Sequence, residues 1–307
     1  MTSITDRLAT GKLLLLDGGV STEIQKRGVA LDGNVWSGLT TKNNPDEVRS
    51  VHEAYIRAGS EVITANTYST ARHVLESIML GHEAKMLNFK SVLLAREARD
   101  RVARDEVWIA GSMSSMPPLT RNHRSVIDRH AEASYCEQAE VLVEAGVDLI
   151  ICEMMRDFEN AEIVINAALA TGIPVWIGYS AIVDRSGKDV RGLSWLHASE
   201  LDTRHDFAGM LEALTPLGGQ VAGIMHTNLD DMNPALEVLG QHWSGPKMAY
   251  AETGELRPPD WIFDDAASPV TYLESARGWV ERYNVQIVGG CCGTGPEHIR
   301  ILKEHLQ

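Results

Sequence analysis

The sequence predicts a single (β/α)8 barrel, on three observations. Eight short, nearly continuous apolar runs recur along the 307 residues. Between them lie amphipathic stretches of helical period, several of which stop at a glycine. The length suits one α/β barrel, typically about 250 residues before insertions. Strands that are apolar at almost every position are covered on both faces, as parallel sheets are.

The first run, KLLLLDGG, ends near Gly19, and SEVITANTY follows at 60–68. VWIAGSM lies at 107–113, DLIICEM at 148–154 and PVWIGYS at 174–180. QVAGIMHT at 220–227, PKMAYAE at 246–252 and VQIVGGCC at 285–292 complete the set. Between runs, PDEVRSVHEAYIRAG puts Val48, Val51, Tyr55 and Ile56 on one helical face and ends at Gly59, the residue type that best tolerates the left-handed turn after a helix. HAEASYCEQAEVLVEAG ends in the same way at Gly146, and FENAEIVINAALATG at Gly172, with Pro174 opening the next strand. Repeated strand–helix–glycine units imply right-handed crossovers and a parallel sheet.

A closed barrel fits better than an open doubly wound sheet. The first strand runs into Asp17-Gly18-Gly19-Val20-Ser21-Thr22, which lacks the GxGxxG spacing of a nucleotide loop. No composition break suggests a second domain, so one barrel is expected over residues 1–307. The stretch at 113–125 reads as a loop after the third strand, and 253–269 as a long loop after the seventh.

Composition narrows the function. With 44% hydrophobic and 6% aromatic residues the chain reads as an ordinary globular enzyme. A formal net charge of -14 disfavours nucleic acid and anionic membranes as partners. Four cysteines (Cys136, Cys152, Cys291 and Cys292) make no disulfide framework in a chain of this length. A reducing, cytoplasmic setting is expected. No signal-like segment and no apolar stretch of about 20 residues occurs. Small-molecule partners are expected, and a homo-oligomer stays open.

In such barrels the chemistry sits at the C-terminal ends of the strands. The eighth run ends in Gly289-Gly290-Cys291-Cys292-Gly293-Thr294-Gly295. Adjacent side chains on a regular strand point to opposite faces. The surrounding glycines relax the backbone enough for both sulfurs to face one metal. Zinc takes thiolate and imidazole ligands and keeps one position open in catalytic sites. The competing reading is two small buried hydrophobes, a frequent role of free cysteine. His226 ends the sixth strand and is the best-placed third ligand; a hydrogen-bonded or a surface histidine is the alternative. Glu153 reads as a partner for a substrate ammonium or as half of a salt bridge. Asp17 reads as an ammonium partner or as a helix cap. Cys136 and Cys152 read as structural.

LLDGGVSTEIQKRG, HEAYIRAGSEVITANTY, ICEM and GGCCGTGPEHI together resemble the zinc-dependent homocysteine S-methyltransferases, over about residues 12–303. The resemblance implies a barrel with one zinc held by Cys291, Cys292 and a third cysteine at the end of strand six. It implies that Glu153 holds the homocysteine amino group, that Asp17 and Gly18 line the amino-acid pocket, and that Trp36 and Tyr68 border it. The chain departs from the family at the third ligand, where Gly223-Ile224-Met225-His226 stands in place of Gly-Val-Asn-Cys. GSMSSMPP also replaces a more usual GSxGP after strand three.

Two thiolates and a neutral imidazole leave a zinc site with a net charge of about zero instead of about -1. A substrate thiol then loses its proton more easily, and the bound thiolate is less nucleophilic. The expected function is methyl transfer to homocysteine, giving methionine. A small sulfonium donor such as S-methylmethionine is favoured over betaine, and Tyr68, Trp36, Tyr250 or Trp261 offer aromatic faces to a cationic methyl. The alternatives are a different thiol or selenol as acceptor, or a barrel that only binds an amino acid.

Overall fold

The computed structural model describes residues 2–115, 129–156, 158–184, 189–192, 206–257 and 260–307. Eight parallel strands form its centre: β1 (Leu14–Leu15), β2 (Val62–Ala65), β3 (Trp108–Ser114), β4 (Leu149–Met155), β5 (Val175–Tyr179), β8 (Val221–Asn228), β9 (Lys247–Glu252) and β12 (Val285–Val288). Their order in the sheet is β1-β12-β9-β8-β5-β4-β3-β2. The ring closes where Leu16 bridges Val62 in parallel and the Glu61 N–H donates to the Leu15 carbonyl at 2.8 Å. The eight strands are therefore those expected from the eight apolar runs, with β3, β4 and β8 each running one residue further at the C-terminal end and the others trimmed.

Strand alternation divides the apolar side chains into two cores. Leu14, Leu16, Trp108, Ala110, Leu149, Ile151, Trp176 and Ile287 fill the barrel interior. Leu15, Ile109, Ile150, Ile177, Ala249 and Val288 face the surrounding helices. Both sets are buried, which is why the runs are apolar at successive positions and not at alternate ones.

The longer outer helices include α4 (Pro45–Ala58), α6 (Ala84–Val102), α7 (Arg129–Ala145) and α8 (Phe158–Leu169). In α4 the face of Val48, Val51, Tyr55 and Ile56 is buried, and Gly59 takes the left-handed conformation (φ 113°) that ends it. Gly146 does the same after α7 (φ 86°). Helix α8 stops at Leu169, a turn earlier than its sequence pattern suggests, with Gly172 in the following turn.

Three features were not expected. A short helix, α1 (Ile4–Ala9), precedes the barrel and is capped by Ser3, whose hydroxyl accepts from the Asp6 N–H. Its Ile4 and Leu8 join the interior core. Trp108, the first residue of β3, donates from its indole to the Thr2 carbonyl at 3.1 Å, so α1 plugs the N-terminal mouth and leaves the other mouth free. After the fifth barrel strand comes an antiparallel pair, β6 (Ala181–Val183) with β7 (Val190–Gly192). The stretch at 253–269 is not a plain loop, since β10 (Glu255–Arg257) and β11 (Asp260–Ile262) pair antiparallel within it. Of the stretch at 113–125, Met113 and Ser114 belong to β3, and 116–125 lie outside the described residues. No helix among the described residues is long and apolar enough to cross a membrane.

Candidate metal and substrate site

The free mouth holds an open cleft at the C-terminal strand ends. All ten residues given a site role from the sequence line it: Asp17, Gly18, Trp36, Tyr68, Glu153, His226, Tyr250, Trp261, Cys291 and Cys292.

Two strands deliver their side chains by breaking their own regularity. In β8 the pairing with β9 slips between Met225 and Asn228, and His226 has φ 44°. A regular strand would send His226 to the face opposite Met225. The left-handed residue swings it back, so both line the cleft. In β4 the register slips between Cys152 and Met155, with Met154 at φ 60°. Left-handed backbone at non-glycine residues costs on the order of 1–3 kcal/mol each and concentrates at functional sites.

The cysteines lie beyond the end of β12, in a turn. Gly293 is required there. Its φ is 87°, and a Cβ on it would fall 2.6 Å from the Gly254 nitrogen. Gly18 has a packing reason too, since a Cβ would come within 2.7 Å of the Thr294 carbonyl oxygen and 2.9 Å of the Tyr55 ring.

The sulfurs of Cys291 and Cys292 are 3.8 Å apart, and Cys291 Sγ is 3.7 Å from His226 Nδ1. One ligand atom from each of the three residues lies within 4.8 Å of the others. Tetrahedral zinc with Zn–S of about 2.3 Å and Zn–N of about 2.05 Å needs edges of about 3.8 Å and 3.6 Å. The residues therefore fit a metal with this donor set. Without an ion, the contact between the two sulfurs draws the Cys291 thiol down to about 6 and holds the Cys292 thiol well above its usual range. Burial opposes charge on His226, but Glu252 and Cys291 outweigh it and push the imidazole up to about 10.

Across the cleft stand two carboxyls. Asp17 accepts from the Thr64 N–H at 2.7 Å and the Thr64 hydroxyl at 2.9 Å. Burial nevertheless raises it to about 7. It is not a helix cap, because Gly19 precedes helix α2 (Val20–Lys26). Glu153 accepts from the Ser112 hydroxyl, and burial raises it to about 8. Among the described residues neither carboxyl has a salt bridge. Both carboxyls face the cleft.

The indole of Trp36 stacks on Tyr68, with centroids 5.6 Å apart and planes 8° from parallel. Trp261 meets His226 edge-on at 6.1 Å and is held by reciprocal hydrogen bonds with the Gln25 side chain, both 3.0 Å. Three contributors had no role from the sequence. Thr64 and Ser112 hold the carboxyls, and Glu252 places Oε2 2.8 Å from His226 Nδ1. Cys136 is exposed on α7 and Cys152 is buried on the outer face of β4, both away from the cleft lining.

Fold and site together define a class: a parallel barrel whose open end pairs a thiol–imidazole cluster with two buried carboxyls. The chain belongs to the homocysteine S-methyltransferase family, whose model matches residues 14–306. It is 28% identical over 319 aligned positions to the homocysteine S-methyltransferase YbgG of Bacillus subtilis (strain 168), covering 98% of this chain and 96% of that protein. It is also 28% identical to the homocysteine S-methyltransferase of Escherichia coli (strain K12), over 95% of this chain and 94% of that one. Among solved structures, the metallated form of the Escherichia coli homocysteine methyltransferase MmuM superposes with a TM-score of 0.74 at 22% identity, covering 97% of this chain and 98% of the other. The oxidized form of MmuM gives 0.71 at 24% identity, with 95% of each chain covered.

Proposed function

We propose that this protein moves a methyl group from a small sulfonium or betaine-type donor to homocysteine, giving methionine, with zinc held by Cys291, Cys292 and His226. The observation that carries this reading is one cleft lined both by a three-ligand cluster and by two raised carboxyls that have no ion-pair partner among the described residues. Homocysteine has the matching ends, a thiol and an ammonium. That MmuM, similar in fold, has a metallated form supports a metal in this protein.

Zinc at such a site lowers the pKa of a bound thiol and keeps a position open for it. Asp17 and Glu153 take the ammonium, which favours their ionised forms and moves their protons to solvent. The Thr64 and Ser112 hydrogen bonds fix where those carboxylates point. The stacked Trp36 and Tyr68 present π faces to a cationic methyl donor. Holding thiol and methyl in line supplies much of the rate. A new S–CH3 bond forms as the donor's S–CH3 or N–CH3 bond breaks, and the electron pair returns to the donor heteroatom, which leaves neutralised.

The test is methionine formation by zinc-loaded protein with homocysteine and a panel containing S-methylmethionine, other sulfoniums and betaine. Methionine from one donor class, lost in Cys291→Ser, supports the reading. No methionine with any donor, or methylation of other thiols in preference to homocysteine, overturns it.

A further inference from the structure

Trp36 and Tyr68 stack in the cleft, and the backbone on both sides of Trp36 is tied to the segment that carries Tyr68. On one flank the Ser69 hydroxyl donates to the Val35 carbonyl at 2.6 Å. On the other, the Asn66 amide holds Ser37 at two points. Its Nδ2 donates to the Ser37 carbonyl at 2.8 Å, and its Oδ1 accepts from the Ser37 hydroxyl at 2.6 Å. A carbonyl can only accept, so this pair fixes which way the amide faces. Nδ2 also donates to Thr41 Oγ1 at 3.1 Å.

The amide stands on a fixed base. Asn66 is buried and follows β2 directly, and its own carbonyl accepts from Ser91 of α6 at 3.0 Å. The Ser37 proton is taken by Asn66, so in the 2.5 Å contact between the Ser21 and Ser37 hydroxyls Ser21 is the donor. The loop needs such a hold. Trp36 has φ 45°, a left-handed conformation that a bulky residue keeps only where its surroundings fix it. The Asp32–Trp36 backbone pair, 2.9 Å in both directions, closes the loop on itself. The tie to the Tyr68 segment comes from Asn66 and Ser69.

We propose that Asn66 is a positioning residue for the methyl-donor side of the cleft: its two-point hold on Ser37 sets the Trp36 ring parallel to Tyr68, and Ser69 supports the same stack from the other flank. This rests on the reading above that the stack receives the cationic methyl group.

The test joins the fluorine NMR spectrum of protein carrying fluorotryptophan to a double-mutant cycle on zinc-loaded protein. The Trp36 resonance is the one missing from Trp36→Leu, and Tyr68→Leu gives its position without the stack. Asn66→Ala should move that resonance toward the Tyr68→Leu position and leave the remaining tryptophan signals in place. It should raise the donor KM by about as much as Trp36→Leu does, roughly 3- to 30-fold, with the homocysteine KM and the zinc content unchanged. In the Trp36→Leu background the same substitution should add little, because its effect runs through the ring. Ser69→Ala, which removes one bond and leaves the amide in place, should repeat the pattern more weakly and serves if Asn66→Ala does not fold. A Trp36 resonance at the parent position in both variants would overturn the proposal. So would an undiminished rise in donor KM in the Trp36→Leu background, which would make Asn66 a direct contact, or equal rises in KM for both substrates, which would make it a general support. If no donor is turned over, the donor reading fails, and the resonance still decides whether Asn66 sets the stack.

Discussion

His226 Nδ1 stands 3.7 Å from Cys291 Sγ across 65 residues of sequence, the edge length of two ligands on one tetrahedral zinc. Neither residue reaches this position from a regular strand. His226 arrives through a left-handed turn at the end of β8, and Cys291 lies in the turn after β12. The fold holds a strained backbone to bring these atoms together, which is the physical sign of a built site.

Zinc binding should release about two protons per ion at pH 7.5. In the metal-free protein Cys291, drawn down to about 6, is already a thiolate at that pH. Cys292, well above its usual range, and His226, at about 10, still hold protons that the metal must displace. Affinity should therefore climb with pH by about two log units per pH unit near 7.5, and by about three below pH 6, where Cys291 also protonates. A pH-indicator titration in weak buffer measures this. Release of less than one proton would contradict the assignment.

Asp17→Asn should stabilise the ligand-free protein at pH 8 and weaken homocysteine binding. The folded-state pKa of Asp17, about 7, lies above its ordinary value. The carboxyl thus costs no stability below about pH 4, and the cost grows as pH rises from there through 7. Asparagine keeps the contacts to Thr64 without the buried charge. The gain should be roughly 1–3 kcal/mol at pH 8 and vanish near pH 4. Denaturant unfolding at both pH values checks the first part, and the KM for homocysteine, which should rise at least tenfold, checks the second.

How much of this was legible from residues alone divides along physical lines. The barrel strands were readable because burial on both faces leaves an apolar run that stands out. The hairpins β6–β7 and β10–β11 were not, because three-residue strands with exposed positions carry no periodicity to detect. The cleft residues at strand ends were readable because a barrel gathers strand ends at one mouth. Thr64 and Ser112 sit among apolar neighbours and earn their role only through the register that sets them against Asp17 and Glu153. The left-handed turns at Met154 and His226 involve residues that seldom adopt that conformation, so no local signal announced them.

Trp36→Leu keeps an apolar body at the cleft but removes the π face that stacks on Tyr68. If the stack serves a cationic methyl donor, the donor KM should rise by roughly 3- to 30-fold. A neutral thioether that competes with the donor should bind about as well as before. Equal weakening of both would assign the tryptophan to shape alone.

His52 lies fully buried in α4 with neither ring nitrogen bonded, and burial lowers it to about 4. Its unfolded value is about 6.5. The unfolded chain therefore takes up a proton that the folded chain refuses, and stability is lost as pH falls from about 6.5 toward 4. His52→Leu should raise stability at pH 7 by roughly 1–3 kcal/mol by removing unpartnered polar atoms. It should also flatten the loss between pH 6.5 and 4. Thermal unfolding across that range measures both.

The central claim is a metal site made by two cysteines and a histidine, and zinc content tests it most directly. Reduced, purified protein loaded with zinc and then dialysed should carry about one zinc per chain by elemental mass spectrometry. His226→Ala should carry markedly less under the same conditions. A parent that retains no zinc, or a variant that retains as much as the parent, would contradict the account.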